Sequence, residues 1–401
     1  MFFPIFLSLI LGILSGIITG LCPGIHVNLV TVLLLSFSPI LLEFTSPIVL
    51  SVYIISLAIT HTFLDTLPSI YLGAPDDSKA LAALPGHRLL LKGQAHNAVL
   101  YTILGSFGSL LLGTVLVPLF LYGMLILDPI LQGTIGYLLI IIMTIMILRE
   151  RGKRLKCLII FLLAGTLGVL VFTLNNLHQP LFHLLSGLFG LSLLLVSLFE
   201  TSFLPQQDFS ISPIISRKDT IQSISGATIM GFIAAFLPGF GSSQAAIMAS
   251  AATPNMNEEG FLSLVGGINT ANMLLSIVAA YTIQKARNGA IVGVQQLLSQ
   301  VTFSHMILFL VVALISGAAG TLLTIKFSRI FSRYITKINY SLLIKIIIIF
   351  IIFLSIIFDG PIGLLILITS TSLGLLAHRW GIAKNHLMGC LVIPVILYFV
   401  L

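Results

Sequence analysis

The stretch GILSGIITGLCPGIHVNLVTVLLL, residues 12–35, decides how this chain is read. It is apolar enough to sit in a bilayer, yet it places Pro23-Gly24 at its midpoint and follows them with His26 and Asn28. Proline removes a backbone donor and breaks a helix. In hydrocarbon each unsatisfied backbone group costs several kcal/mol, so breaks are tolerated there only inside protein or beside water. A segment that merely spanned a membrane has no use for this arrangement.

The rest of the chain has the composition of a membrane protein. Of 401 residues, 58% are hydrophobic and 8% charged, whereas a soluble domain carries roughly 25% charged residues. This is a polytopic protein of the cell membrane. Cys22, Cys157 and Cys390 lie far apart, so no disulfide framework is expected. The first residues lack the basic region of a signal peptide. The net charge of +7 is modest, and its placement says more than its size.

The opening stretch has an echo. MGFIAAFLPGFGSSQAAIM (230–248) aligns with SGIITGLCPGIHVNLVTVL (15–33), setting Pro238-Gly239 on Pro23-Gly24. ITHT (59–62) then meets INTA (268–271), and AGTLG (164–168) meets STSLG (370–374), at a slowly shrinking offset. Such internal similarity points to a duplicated unit. Cytoplasmic loops collect Lys and Arg, and matching loops differ in just this respect. RERGKRLK (149–156) corresponds to a stretch near 355–362 without Lys or Arg. The basic segment 326–345 corresponds to 119–133, which also has none. HRWGIAK (378–384) contrasts with TLNNLHQ (173–179) in the same way.

The expected fold is therefore an all-α polytopic membrane protein built from two inverted-topology repeats. Each repeat has about five spanning helices plus a Pro-Gly-broken, re-entrant hairpin, or 10–14 membrane segments in all. Residues 1–200 form repeat 1, 201–220 a linker and 221–401 repeat 2, with both chain ends outside. Apolar segments in repeat 1 include 97–122 and 130–148; in repeat 2 they include 342–358 and 361–378.

The breaks supply candidate binding groups. A helix starting after Pro-Gly points its N-terminal amides, with their partial positive charge, into the break. Pro23, Gly24, His26, Asn28, Pro238, Gly239, Gly241, Ser242, Ser243 and Gln244 stand there. His61 and Asp65 are four residues apart, hence on one helix face, and an intramembrane acid is a functional candidate by default. Asp76 and Asp77, in GAPDDSKA (73–80), can cap a helix or join cation coupling. The matching part of repeat 2 brings Asn269, Thr270 and Asn272, then Lys285 and Arg287 where repeat 1 has the two aspartates. Basic residues on an outer loop suggest an anionic ligand. Gly12, Gly16 and Gly20 form a G-x-x-x-G-x-x-x-G stripe, expected to pack one helix closely against another. No nucleotide-binding, H-E-x-x-H or G-x-S-x-G motif is present, and no enzyme, cofactor or metal site is expected.

These motifs resemble those of a known family. GIITGLCPGIHVNLVTVLLL is similar to the first Pro-Gly motif of TctA-like permeases, the large membrane subunits of tripartite tricarboxylate transporters, particularly their compact archaeal relatives. LGAPDDSKALAALPGHRLLLKGQAHNAVLYTILGSFGSLL (72–111) looks like that family's most specific block, and MGFIAAFLPGFGSSQAAIM like its second Pro-Gly motif. The resemblance implies a secondary transporter whose paired Pro-Gly elements frame an anion site. It also implies a small membrane subunit and an extracytoplasmic binding protein as partners. Two features depart from the family pattern: His26-Val27-Asn28 after the first Pro-Gly, and IQKARNGA (283–290) without proline. They leave both the tricarboxylate and the need for the partners open. A looser similarity links the chain to membrane proteins with paired Pro-Gly hairpins that recycle polyprenyl phosphate. The expected function is a permease for an organic anion such as a carboxylate, driven by H⁺ or Na⁺. The alternative is a flippase for an anionic lipid carrier.

Overall fold

The computed structural model describes residues 2–22, 27–72, 80–150, 152–174, 177–199, 205–236, 241–253, 255–284, 288–335 and 340–400. Within them every regular element is a helix. The first half contains α1 (Phe2–Leu21), α2 (Val27–Leu41), α3 (Pro47–Leu64), α4 (Thr66–Tyr71), α5 (Ala80–Leu91), α6 (Ala95–Val115), α7 (Val117–Arg149) and α8 (Arg154–Thr173). A last segment runs from α9 (Pro180–Leu185) through a π-helical turn (Ser186–Leu191) into α10 (Ser192–Phe199). The second half contains α11 (Arg217–Phe236), α12 (Ser242–Ala252), α13 (Glu258–Thr282), α14 (Gly289–Leu298), α15 (Phe303–Ile335) and α16 (Tyr340–Arg379). A 3₁₀ turn (Lys384–Met388) then leads into α17 (Gly389–Val400). Among the described residues, seven helices are long and apolar enough to cross a membrane. The protein is a multi-pass helical membrane protein.

Two boundaries differ from the sequence expectation. The apolar run expected to continue to residue 122 stops at Val115, and the gap expected at 123–129 lies inside α7, which runs from Val117 to Arg149. Pro118 stands in the first turn of α7, where its missing N–H costs nothing. The break expected between 358 and 361 is present inside α16. Asp359 and Gly360 leave helical geometry there, Gly360 with φ +59°, where an L side chain would be strained. A Cβ on Gly363 would lie 2.8 Å from the Ser355 carbonyl oxygen, eight residues back. A straight helix would put about 12 Å between those positions, so the chain folds sharply back at Asp359-Gly360.

Helix packing uses small residues, as expected where lipid supplies no hydrophobic drive between helices. Along α1, a Cβ on Gly12 would lie 2.6 Å from the Tyr53 carbonyl oxygen. On Gly16 it would lie 2.7 Å from Thr60 Cβ, and on Gly20 2.7 Å from Leu64 Cβ. The glycine stripe is thus the seam on which α1 meets α3, as its spacing suggested. Ser8 Oγ donates to the Val49 carbonyl at 2.6 Å and Tyr53 Oη to Ser15 Oγ at 2.7 Å, so the two helices run in the same direction.

The second half packs likewise. Asp219 lies beside Gly260, Ser223 Oγ is 2.9 Å from Ser263 Oγ, and Gly231 abuts Ala271, so α11 runs with α13. α3 and its continuation α4 also run with α15, through Ser56 to Ser316 at 3.1 Å and Tyr71 Oη to Ser328 Oγ at 2.9 Å. α6 runs with α13, through Thr102 to Gly266 and Gly113 to Leu274. The start of α6 touches the end of α15, His96 Nδ1 lying 2.9 Å from Ser328 Oγ. The α3/α15 pair therefore runs opposite to the α6/α13 pair, and α1 and α11 approach from opposite ends of the helix stack. α3 and α13 are almost wholly buried and form its centre.

Candidate functional site

The centre of the stack holds a chain of polar side chains drawn from both halves. It begins where α3 breaks. The Pro68 ring clashes with the carbonyl four residues earlier, at Leu64, and the helix is interrupted at Asp65 before resuming as α4. Asp65 is buried. Its Oδ2 accepts from Asn269 Nδ2 at 3.1 Å, and Asn269 sits in the middle of α13. Asn269 Oδ1 in turn accepts from Ser242 Oγ at 3.5 Å, and Ser242 Oγ accepts from Asn272 Nδ2 at 3.2 Å. Ser276 Oγ donates to the Asn272 carbonyl at 2.7 Å. A second rung between the halves joins Thr62 Oγ1 and Thr270 Oγ1 at 3.2 Å.

Ser242 opens α12. Gly241 precedes it in extended geometry, and its N–H is closed off by Gln244 Oε1 at 3.0 Å. The first turn of α12, with buried Ser242 and Ser243, thus faces Asn269 and Asn272. Its amides carry the positive end of the helix dipole toward the polar chain. On the other side, Gly20 near the end of α1 brings that helix against Leu64 and Asp65, a Cβ there lying 3.3 Å from the Asp65 nitrogen. The segment leading into the first Pro-Gly pair and the segment leaving the second therefore both converge on the Asp65–Asn269 contact.

The remaining expected residues divide in two groups. His61 Nδ1 is 3.1 Å from Thr19 Oγ1, which turns it toward α1. Asn28 stands at the start of α2, beside the first turn of α14, where a Cβ on Gly289 would lie 2.6 Å from Asn28 Oδ1. Asn288 caps α14, its Oδ1 accepting from the Ala290 N–H at 3.0 Å. Pro23, Gly24, His26, Asp76, Asp77, Pro238, Gly239, Lys285 and Arg287 lie outside the described residues.

Sequence reasoning passed over a second buried constellation. Asp359, at the fold-back of α16, accepts from the backbone N–H groups of His178 and Gln179 at 2.5 and 2.9 Å. His183 Nε2 lies 2.7 Å from its Oδ2, and His183 Nδ1 is 2.9 Å from Ser355 Oγ. The carboxylate closes the open amides ahead of α9. Its signal in the sequence is a lone acid followed by Gly-Pro between two apolar runs.

A stack of bilayer-length helices, with a buried polar chain at helix breaks in its centre, defines a membrane transport protein. The chain belongs to the tripartite tricarboxylate transporter TctA family, whose match spans residues 6–389. That family supplies a component of a transporter and not an enzyme. The chain is also 29% identical over 409 residues to an uncharacterized protein of Methanocaldococcus jannaschii, the match covering 98% of each chain. No solved structure matches it.

Proposed function

We propose that this protein is the permease of a secondary transporter that moves an organic anion, a carboxylate, together with H⁺ or Na⁺. The observation that carries this reading is the chain Asn272–Ser242–Asn269–Asp65 at the first turn of α12. Its amides and hydroxyls suit a carboxylate. Asp65 does not, because two negative charges about 4 Å apart repel by about 4 kcal/mol at a near-surface dielectric. An anion then occupies the site only when Asp65 holds a proton or a cation, which couples the two movements. His61, one helical turn before Asp65, would share in that exchange.

Residues 1–200 and 221–401 serve in this reading as inverted copies joined by 201–220. The matched packing of α1 on α3 and α11 on α13, from opposite ends of the stack, supports it. Lys285 and Arg287 would attract the anion at one mouth, and Asp76 and Asp77 would cap a helix or assist coupling. The companion subunits reach this chain through its family, and reconstitution of the chain alone shows whether they are needed.

The test is citrate uptake by the purified chain in liposomes under an imposed pH or Na⁺ gradient. Uptake driven by one gradient, with Asp65→Asn abolishing the drive but sparing citrate exchange, supports the reading. Gradient-driven uptake that survives intact in Asp65→Asn overturns the coupling role.

A further inference from the structure

At the end of the stack where Lys153 Nζ donates to the Gly381 carbonyl at 2.8 Å, a second cation points inward. Lys384, in the 3₁₀ turn before α17, is half-buried. Its Nζ donates to Ser192 Oγ at 3.1 Å and to the Phe189 carbonyl at 3.5 Å, both at the π-helical turn between α9 and α10. Ser192 Oγ donates its own proton to the Leu188 carbonyl at 2.6 Å, so a lone pair faces the lysine. Among the described residues no carboxylate pairs with Lys384. The acid at this end, Glu150, lies 3.5 Å from His386.

Three points argue for a ligand here. An ammonium has three donors, and two neutral oxygens, one of them distant, leave one over. A shielded charge without a counter-ion is costly. The setting is also a junction: the 3₁₀ turn touches α12, and the π-helical turn touches α5, whose His87 feels the Lys384 charge. π-Helical turns concentrate at functional positions.

We propose that Lys384 is a second oxyanion contact, holding a carboxylate or phosphate group at the junction of α5, α12 and the π-helical turn. Its assignment to the transport path rests on the anion reading above; the contact itself does not. Burial that pushes its pKa down to about 8 suits a cation that completes its charge pairing only when an anion arrives.

The experiment measures binding of citrate and of inorganic phosphate to the full chain in phosphatidylcholine nanodiscs, and retention of phosphatidylglycerol when that lipid is supplied. Lys384→Met should weaken at least one of the three by tenfold or more, and Lys384→Arg should keep most of it. Loss confined to phosphatidylglycerol identifies a lipid headgroup, and loss of citrate or phosphate a free solute. A second readout needs no variant: the acetylation rate of Lys384 in wild-type protein, read against exposed Lys92, should fall about fivefold with the same ligand. If no probe slows acetylation and Lys384→Met changes no binding, the contact does not exist. Asn272→Ala separates this from the main reading, because failure of the central anion site leaves protection of Lys384 intact.

Discussion

Asn269 Nδ2 donates to Asp65 Oδ2 at 3.1 Å across 204 residues of sequence, and this bond joins the two halves at the centre of the stack. A hydrogen bond to a charged group contributes about 1.5–3 kcal/mol. Asn269→Ala should lower stability by that order in detergent unfolding. It should also release Ser242 Oγ from its acceptor and weaken anion binding more than Thr270→Ala does.

The α1–α3 seam has no room for a side chain. At Gly16 a Cβ would meet both Thr60 Cβ at 2.7 Å and the backbone oxygen of Leu57 at 2.8 Å. Gly16→Ala should destabilise by about 1–3 kcal/mol through overpacking. Gly226→Ala, where the added carbon meets only Leu264 Cδ1 at 3.3 Å, should be near neutral because alanine favours helix. Thermal unfolding of the two variants separates crowding from any general effect of glycine loss.

Much of this was legible in the sequence, and the reasons are physical. The glycine stripe and the polar residues of INTANM (268–273) are local irregularities in otherwise apolar runs, and hydrocarbon tolerates irregularity only for cause. The partner of each polar group was not legible. His61 and Asp65 share a helix face, and nothing in the local sequence shows that Thr19 of α1 meets the one and Asn269 of α13 the other. Lys384 read as one more basic loop residue, since nothing local shows that the turn carrying it folds against Ser192.

Asp359 fastens the fold-back of α16 to the start of α9 through two backbone amides and His183. Asp359→Asn keeps the shape but loses the charge, and should cost about 1.5–3 kcal/mol. Ser355→Ala removes only the outer partner of His183 and should cost less. Citrate affinity should be unchanged in the Ser355 variant, which differential unfolding and binding assays check together.

Lys384 should make stability depend on alkaline pH. Its pKa is lowered from 10.5 to about 8 by burial, so between these values the unfolded chain binds a proton that the folded chain has lost. Stability then rises with pH across that window. Lys384→Met should flatten the rise, as measured by unfolding at pH 7.5 and 10.

The orientation of the chain is open to chemical labelling. With the segments 149–156, 217–219 and 326–345 at the cytoplasmic side, an impermeant thiol reagent applied to intact cells should miss single cysteines at 152 and 333 and reach one at 177. Labelling at 152 from outside contradicts the inverted arrangement.

The central claim is that the polar chain from Asp65 to Asn272 holds an organic anion. The most direct measurement is equilibrium binding of citrate to the purified chain in neutral-lipid nanodiscs, comparing wild type with Ser242→Ala and Asn272→Ala. The account predicts affinity reduced about tenfold or more in both variants, with unfolding temperatures close to wild type. Citrate bound with unchanged affinity by both folded variants would contradict it.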